Sequence, residues 1–415
     1  MFIAVLMIDA VSDRPREEAA PYLTCAIIGL GGLFAGVTGP LLSAFVPLLV
    51  RQALGDHRTL IGLVMAIDNV LLLLLVPWAG AASDRARARG KGRLPIVLGA
   101  FLLAAAGMAL FPFSVSFGIG GVIAAIIVLY TGINLQRSPV QALIADLVPS
   151  AYRSFATGSV TFQMCVGAVV FLMLGRALGM KTAFLAGSIT VLAISALFKA
   201  ALREPAVSES QAIEAGETTF RSLGSAVWTA IRGEIPGMRA IFAATFLVQL
   251  TFQTFTTWFS LHGTERFGVR PEDVTLGFIA WAMGGVFGAL PAGFLGVRIG
   301  RRNAMLLGLA VMSAALVALH FVSSFTVLAV LLALVSAAWT FPMVNAYPLF
   351  VEPVPPARRG VLAALFLLSM ALGGAIGDPL NGGLFDLFGS YRMMFLMMAS
   401  YAAMAFVVVR RLPSG

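Results

Sequence analysis

Runs of about 20 or more apolar residues recur along the whole 415-residue chain, each long enough to cross a bilayer as a helix. Only helices and closed barrels satisfy their backbone groups without water, and runs of this length select helices. Read as apolar stretches bounded by charge, the chain predicts twelve crossings, over 22–50, 59–82, 95–117, 119–147, 153–178, 182–202, 238–261, 273–297, 303–323, 325–353, 359–386 and 391–410. Composition agrees, with 59% of residues hydrophobic and 11% charged. Soluble domains carry about 25% charged residues, so a soluble globule is excluded. The expected fold class is an all-α polytopic membrane protein, with twelve transmembrane helices in two pseudo-symmetric six-helix bundles.

The net charge of +9 would suggest nucleic acid in a soluble chain. Here the basic residues cluster in the short gaps between apolar runs, as on the cytoplasmic side of membrane proteins, so no nucleic-acid partner is expected. One set of gaps holds Arg14 and Arg16, Arg85 to Arg93, Arg153, Lys199 to Arg239, Arg298 to Arg302, Arg358 and Arg359, and Arg410 and Arg411. That is roughly seven in ten of all Lys and Arg, which places both termini in the cytoplasm of a cell-membrane protein. Cys25 and Cys165 lie inside apolar runs and suggest neither a disulfide nor a zinc site. The apolar start Met1–Val11 lacks a basic leading region, so a cleaved signal peptide is not expected.

The longest polar stretch, 203–237, divides the chain into bundles over 1–202 and 238–415. Its end carries Phe220, Leu223, Val227 and Ile231 on one helical stripe, which fits either a helix on the cytoplasmic membrane surface or a plain tether. Two local patterns recur about half a chain apart. Gly80-x-x-x-Asp84-Arg85 with Gly92-Arg93 is matched by Gly293 to Arg298 with Gly300-Arg301-Arg302. Asp146 to Arg153 is matched by Glu352 to Arg359. This is the signature of a duplicated six-helix unit.

The six-plus-six plan with its Gly80-x-x-x-Asp84-Arg85 loop resembles the major facilitator superfamily across the whole chain. The second copy departs from the pattern in having Val297 at the acidic position. A narrower resemblance lies in Ala66-Ile67-Asp68-Asn69, in Pro77 to Arg85, and in Gln136-Arg137-Ser138-Pro139 followed by Ala142 to Pro149. These segments are similar to the glycoside–pentoside–hexuronide:cation symporters and the sucrose-transporter-like branch. That resemblance implies cation- or proton-coupled uptake of a sugar or glycoside. Melibiose-type members carry two acidic residues before the helix-2 proline where this chain has Leu72 and Val76, which argues for protons over sodium.

A charge inside the membrane costs roughly 2.5–3.5 kcal/mol on insertion scales, so such residues point to function. Asp68, Arg137 and Asp378 are the clear cases. Helical rise puts Arg137 about 13 Å and Asp68 about 24 Å above the cytoplasmic ends of their helices. Asp378 is expected near the outer end of helix 11, where Asp378-Pro379 could also simply break the helix. Asp68 and Asp378 are the proton-coupling candidates. Arg137 is expected to organise the substrate site and to feel the charge of Asp68 through water or through space rather than by direct contact. Asn69, Gln141, Gln163, Gln249, Gln253, Trp281, Asn345 and Tyr347 are further substrate-binding candidates, because sugars need convergent hydrogen bonds and a flat apolar face. Each of these is equally open to a plain helix-packing role. Asp84, Arg85, Arg93, Asp146, Arg153, Arg298, Arg301, Arg302, Glu352 and Arg359 are the gating candidates, since charge-assisted bonds at helix ends can hold one conformation closed. Asp146 is expected to pair with Arg153, and Glu352 with Arg358 or Arg359.

No Walker loop or HExxH motif occurs, so an ATP-driven pump, a cofactor and a metal centre are not expected, and the protein is not read as an enzyme. The leading reading is a monomeric, proton-coupled symporter of a small polar solute. The alternatives are a proton-antiporting exporter of drugs or lipids and a non-transporting membrane protein on the same fold. The absence of proline from Thr157–Leu174 lowers the exporter reading.

Overall fold

The computed structural model describes residues 16–149, 152–204, 238–351 and 359–412. Twelve α-helices lie among them: α1 Arg16–Leu54, α2 Arg58–Ala88, α3 Leu94–Leu110, α4 Gly118–Leu147, α5 Arg153–Leu178, α6 Met180–Ala201, α7 Met238–Phe267, α8 Thr275–Arg298, α9 Arg301–Phe321, α10 Phe325–Val351, α11 Arg359–Phe388 and α12 Met394–Arg410. Ten described stretches are long and apolar enough to span a bilayer, and one of them, Leu94–Leu147, contains both α3 and α4. With the 30-residue α11 these make the twelve expected crossings. The stripe over 220–231, together with Glu352 and Arg358, lies outside the described residues.

Two boundaries differ from expectation for physical reasons. Helix α3 ends at Leu110, and Phe111–Phe117 forms a 3-10 turn that reverses the chain. Gly118 closes that turn at φ +65, a left-handed conformation that only glycine adopts without strain. At the other site Pro379 does not break α11. The helix runs through it to Phe388, which leaves Asp378 about 15 Å inside the end instead of near it. Interior prolines at 77, 139, 291, 342 and 348 are likewise carried within helices. Neighbouring helices compensate the lost backbone bonds inside a membrane bundle.

Close crossings follow the small residues. Added Cβ atoms at Gly32 and Gly36 of α1 would strike the carbonyls of Val160 and Met164 on α5. Gly284 and Gly288 of α8 meet Ala333 and Ala337 of α10 in the same way. Helix α11 approaches α7 through Gly373 and Gly377, which lie on Gln249 and Leu250. It approaches α2 through Gly374, packed on Asn69, while Gly62 of α2 sits on the carbonyl of Asp378.

Hydrogen bonds and ion pairs between described residues of α1–α6 and of α7–α12 all lie toward one end of the bundle. That end carries the α1–α2, α5–α6, α7–α8 and α11–α12 connections. Arg58 and Thr59 meet Asp386 there, Arg176 meets Asp273, and Ser260 donates to the carbonyl of Ser43. Further along the two helices, Asn69 of α2 packs on Gly374 of α11. Described contacts between the two sets of helices thus run from this end to Asn69 and Gly374.

Candidate functional site

Where the two sets of helices meet at mid-depth, α2, α4, α7 and α11 bring charge together. On α4, Tyr130, Asn134, Arg137, Gln141 and Ala145 share one stripe, each three or four residues from the next. The upper part of the stripe is packed: Tyr130 and Asn134 are buried, and the Asn134 amide donates to Asp68 Oδ1 at 2.9 Å. The lower part, at Arg137, Gln141 and Ala145, is exposed although it lies inside a membrane helix.

Arg137 makes no ion pair with Asp68 within 4 Å, yet lies close enough for its charge to act on it. Across the interface, Asp378 is fully buried on α11, and its Oδ2 accepts from Gln253 Nε2 at 3.0 Å. Thr257, one turn along α7, accepts from the same Gln253 amide at 3.3 Å. The two carboxylates lie within electrostatic range of each other, and Tyr130 feels both of them and Arg137 as well. Asn69 and Gln249 flank the group on α2 and α7 and are buried against Gly374 and Gly373. Asn134 Oδ1, Gln249 Oε1 and Asp378 Oδ1 are buried with no partner among the described residues. Buried polar atoms cost free energy when unpaired, so these acceptors are primed for a donor.

An aromatic wall adjoins the cluster one step along α7. Phe252 stacks on Trp339 with ring centroids 4.9 Å apart, and Phe255 stacks on Trp281 at 4.2 Å. Trp281 and Trp339 are 6.0 Å apart. The structure therefore groups Asp68, Asn69, Arg137, Gln249, Gln253 and Asp378, with Trp281 in the neighbouring wall and Gln141 on the exposed stripe.

Three candidates lie elsewhere. Gln163 donates to the Ala26 carbonyl at 2.9 Å and to Ser159, tying α5 to α1. Asn345 donates to the carbonyls of Ala292 and Phe341 and fills the space over Gly296. Tyr347 packs edge-on against Phe366. The amides of Gln163 and Asn345 bond helix carbonyls, away from the central group. Tyr130 and Thr257 were not anticipated, because a tyrosine or threonine in an apolar run carries no signal until its neighbours are known.

A second charged cluster sits at the ends of α2 and α4 and the start of α3, within α2–α6. Arg93 lies at the start of α3 and is 7% exposed. Its Nε donates to Asp146 Oδ2 at 2.7 Å, its Nη1 donates to Ser83 Oγ at 2.8 Å, and it is ion-paired with Asp84. Arg87 is also paired with Asp146. Glu204, just after α6, accepts the backbone N–H groups of Arg93 and Leu94 and so caps α3. Arg153 is not the partner of Asp146. It donates to the carbonyls of Val148 and Ala145 at the end of α4, as a helix C-terminus favours.

The corresponding cations of the second half do other work. Arg302 donates to the carbonyls of Val409 and Arg410 and caps α12. Arg298 lies over the Phe294 ring, and Arg301 opens α9. Arg85 is exposed, and Arg359 opens α11. Glu352 lies outside the described residues.

A bundle of twelve membrane-spanning helices with Asp68, Arg137 and Asp378 grouped at its centre defines a polytopic membrane protein of the secondary-transporter type. The sequence profile of the Major Facilitator Superfamily matches residues 28–289 and again 241–414, and the chain belongs to that superfamily. No curated protein sequence is significantly similar to it.

Solved structures share the fold. A bacterial homolog of the human lysosomal transporter Spinster, in an inward-facing and unoccupied conformation, is 15% identical with a TM-score of 0.73, over 94% of this chain and 97% of that one. A structure of the nucleoside transporter NupG is 12% identical with a TM-score of 0.74, over 94% and 98%. The xylose transporter XylE from E. coli, in a partially occluded inward-open conformation, is 14% identical with a TM-score of 0.68, over 95% and 97%. At these identities the likeness is one of fold.

Proposed function

We propose that the protein is a proton-coupled symporter of a sugar, glycoside or similar small polar solute, working by alternating access. The observation that carries this reading is the central pair of carboxylates. Asp68 comes from the first six helices and Asp378 from the last six, and they lie within electrostatic range beside Arg137. Two carboxylates in each other's field beside a single cation are a pair suited to sharing one proton. Moving the two sets of helices apart separates the pair and exposes one of them to water, where the proton is released. The α7 amides and the Phe252–Trp339 stack supply hydrogen bonds and a flat apolar face for a sugar ring.

In this reading 1–202 and 238–415 are the two moving units, joined by 203–237, and the protein acts as a monomer in the cell membrane. The end with the α2–α3 and α4–α5 connections is read as cytoplasmic, a reading that its basic loops support. The glycoside–pentoside–hexuronide branch and the sucrose-like branch near it supply the finer expectation. With Leu72 and Val76 on α2, protons are favoured over sodium. The alternative is a proton-antiporting exporter of drugs or lipids.

The deciding experiment is uptake into proteoliposomes of a panel of labelled sugars, glycosides and lipophilic cations, with and without an imposed proton gradient. Gradient-driven accumulation of a sugar supports symport. Gradient-driven extrusion of a lipophilic compound would replace that reading with the exporter.

A further inference from the structure

Helix α2 begins at Arg58, and its N-cap residue, His57, makes no side-chain cap. The first backbone N–H groups of a helix nonetheless need acceptors. Here they come from the opposite set of helices, over 300 residues away in sequence. Asp386, near the end of α11, accepts the backbone N–H of Arg58 on Oδ1 at 3.1 Å and that of Thr59 on Oδ2 at 2.8 Å. The Thr59 hydroxyl adds a third bond to Oδ2 at 2.6 Å.

The Arg58 side chain extends the same knot. Its Nη2 donates to the Gly389 carbonyl at 3.1 Å, its guanidinium lies 4.8 Å over the Tyr391 ring, and Glu265 of α7 approaches to 3.6 Å. Glu265 in turn accepts from Ser390 Oγ and from the Tyr391 backbone. Gly382 lets the α11 backbone lie directly on Arg58 and Thr59. The Arg58–Asp386 charge pair itself is only at 4.0 Å and lies at the surface, where ion pairs contribute little.

We propose that Asp386 is the N-cap of α2 supplied in trans, and that this cap, more than the surrounding ion pairs, holds the α1–α2 end of the bundle shut. Opening that end must strip α2 of its cap and return two N–H groups to water. The lock also lies on the helices that carry the central carboxylates: Asp68 is ten residues from Arg58 along α2, and Asp378 eight from Asp386 along α11. Any shift of α2 against α11 at the centre therefore reaches the cap through two rigid helices. The inference rests on the fold and not on the identity of the solute.

The test uses the full chain with Cys25 and Cys165 replaced by serine and one reporter, Ser260→Cys, at a fully buried position on the closed side. An aqueous maleimide then reads opening as labelling rate. Asp386→Ala is expected to raise that rate about fivefold, the factor set by loss of a typical cap. Asp386→Asn should leave it near the parent rate, because asparagine caps as well as aspartate but carries no charge. Thr59→Val, which deletes only the hydroxyl bond, should give about a twofold rise, less than loss of a whole cap. Asp386→Ala labelling at the parent rate would overturn the proposal. So would Asp386→Asn opening as far as Asp386→Ala, since the charge would then be the lock. Should Asp386→Ala fail to fold, Thr59→Val decides: no rise there refutes the cap.

Discussion

Replacing Arg93 by alanine removes one side chain that touches α2, α3 and α4 together. Its guanidinium bonds Asp146 at 2.7 Å and Ser83 at 2.8 Å and is paired with Asp84. Asp146 would keep Arg87, but Asp84 would lose its only ion pair among the described residues. Removing one partner of a buried pair costs about 3–5 kcal/mol. The side chains of Asp84 and Asp146 are 26% and 12% exposed, so water recovers part of that, and about 2–3 kcal/mol remains. Large domains lose about 2 °C of Tm per kcal/mol, which predicts a fall of about 4–6 °C. Thermal unfolding of the detergent-solubilised protein, followed by a thiol-reactive dye reporting the buried Cys25, measures it. Arg93→Lys keeps the charge without the planar fork and should recover only part of the loss. A fall below about 1 °C would refute the reasoning, since the cluster would then be a solvated surface network of negligible worth.

The other predictions concern conformation. Asp84→Asn should slow transport while leaving solute binding largely intact, by shifting the balance of open states by about 1–3 kcal/mol, the usual size of a coupling term. Equal loss of binding and transport would make Asp84 purely structural. Asp273, in the α7–α8 connection, is held below the usual carboxylate range, first by the hydrogen bond from Arg270 and then by that from Arg176. A depressed carboxylate keeps its partners above that lowered value and loses them only as pH falls through it. The Arg176–Asp273 link should thus persist from pH 7 to pH 5, and maleimide labelling of Ser260→Cys, taken at each pH relative to an exposed cysteine, should not change over that interval. A rise in labelling between pH 7 and pH 5 would contradict this.

Much of the architecture is readable along the chain, because hydropathy in a membrane protein is set by the solvent and not by distant contacts. The twelve spans and the clustering of basic loops at one end follow from local composition. Partnerships do not. Asp146 has Arg153 seven residues on, yet binds Arg93 and Arg87, because the end of α4 packs beside the turn after α2. Asn345 and Gln163 look like cavity residues in a linear reading, but each lies over a small residue, Gly296 or Gly29, where its amide bridges two helices. Asp386, Arg58 and Glu265 carry no local mark, since each is an ordinary charge at a helix end until α2, α7 and α11 converge. Asp378 was visible as an intramembrane carboxylate, but Pro379 disguised its depth, because proline usually stops a helix in water and is tolerated among packed neighbours.

The central claim, that the Asp68–Asp378 pair carries the proton, is tested most directly by comparing two modes of transport in the same proteoliposomes. Asp68→Asn and Asp378→Asn are each assayed for accumulation of the transported solute under an imposed proton gradient, and for exchange of labelled against unlabelled solute at equilibrium. Exchange needs no net proton movement, so each variant should lose accumulation while retaining exchange. Variants that still accumulate solute, with the pH dependence of the parent, would place the proton site elsewhere and contradict the account.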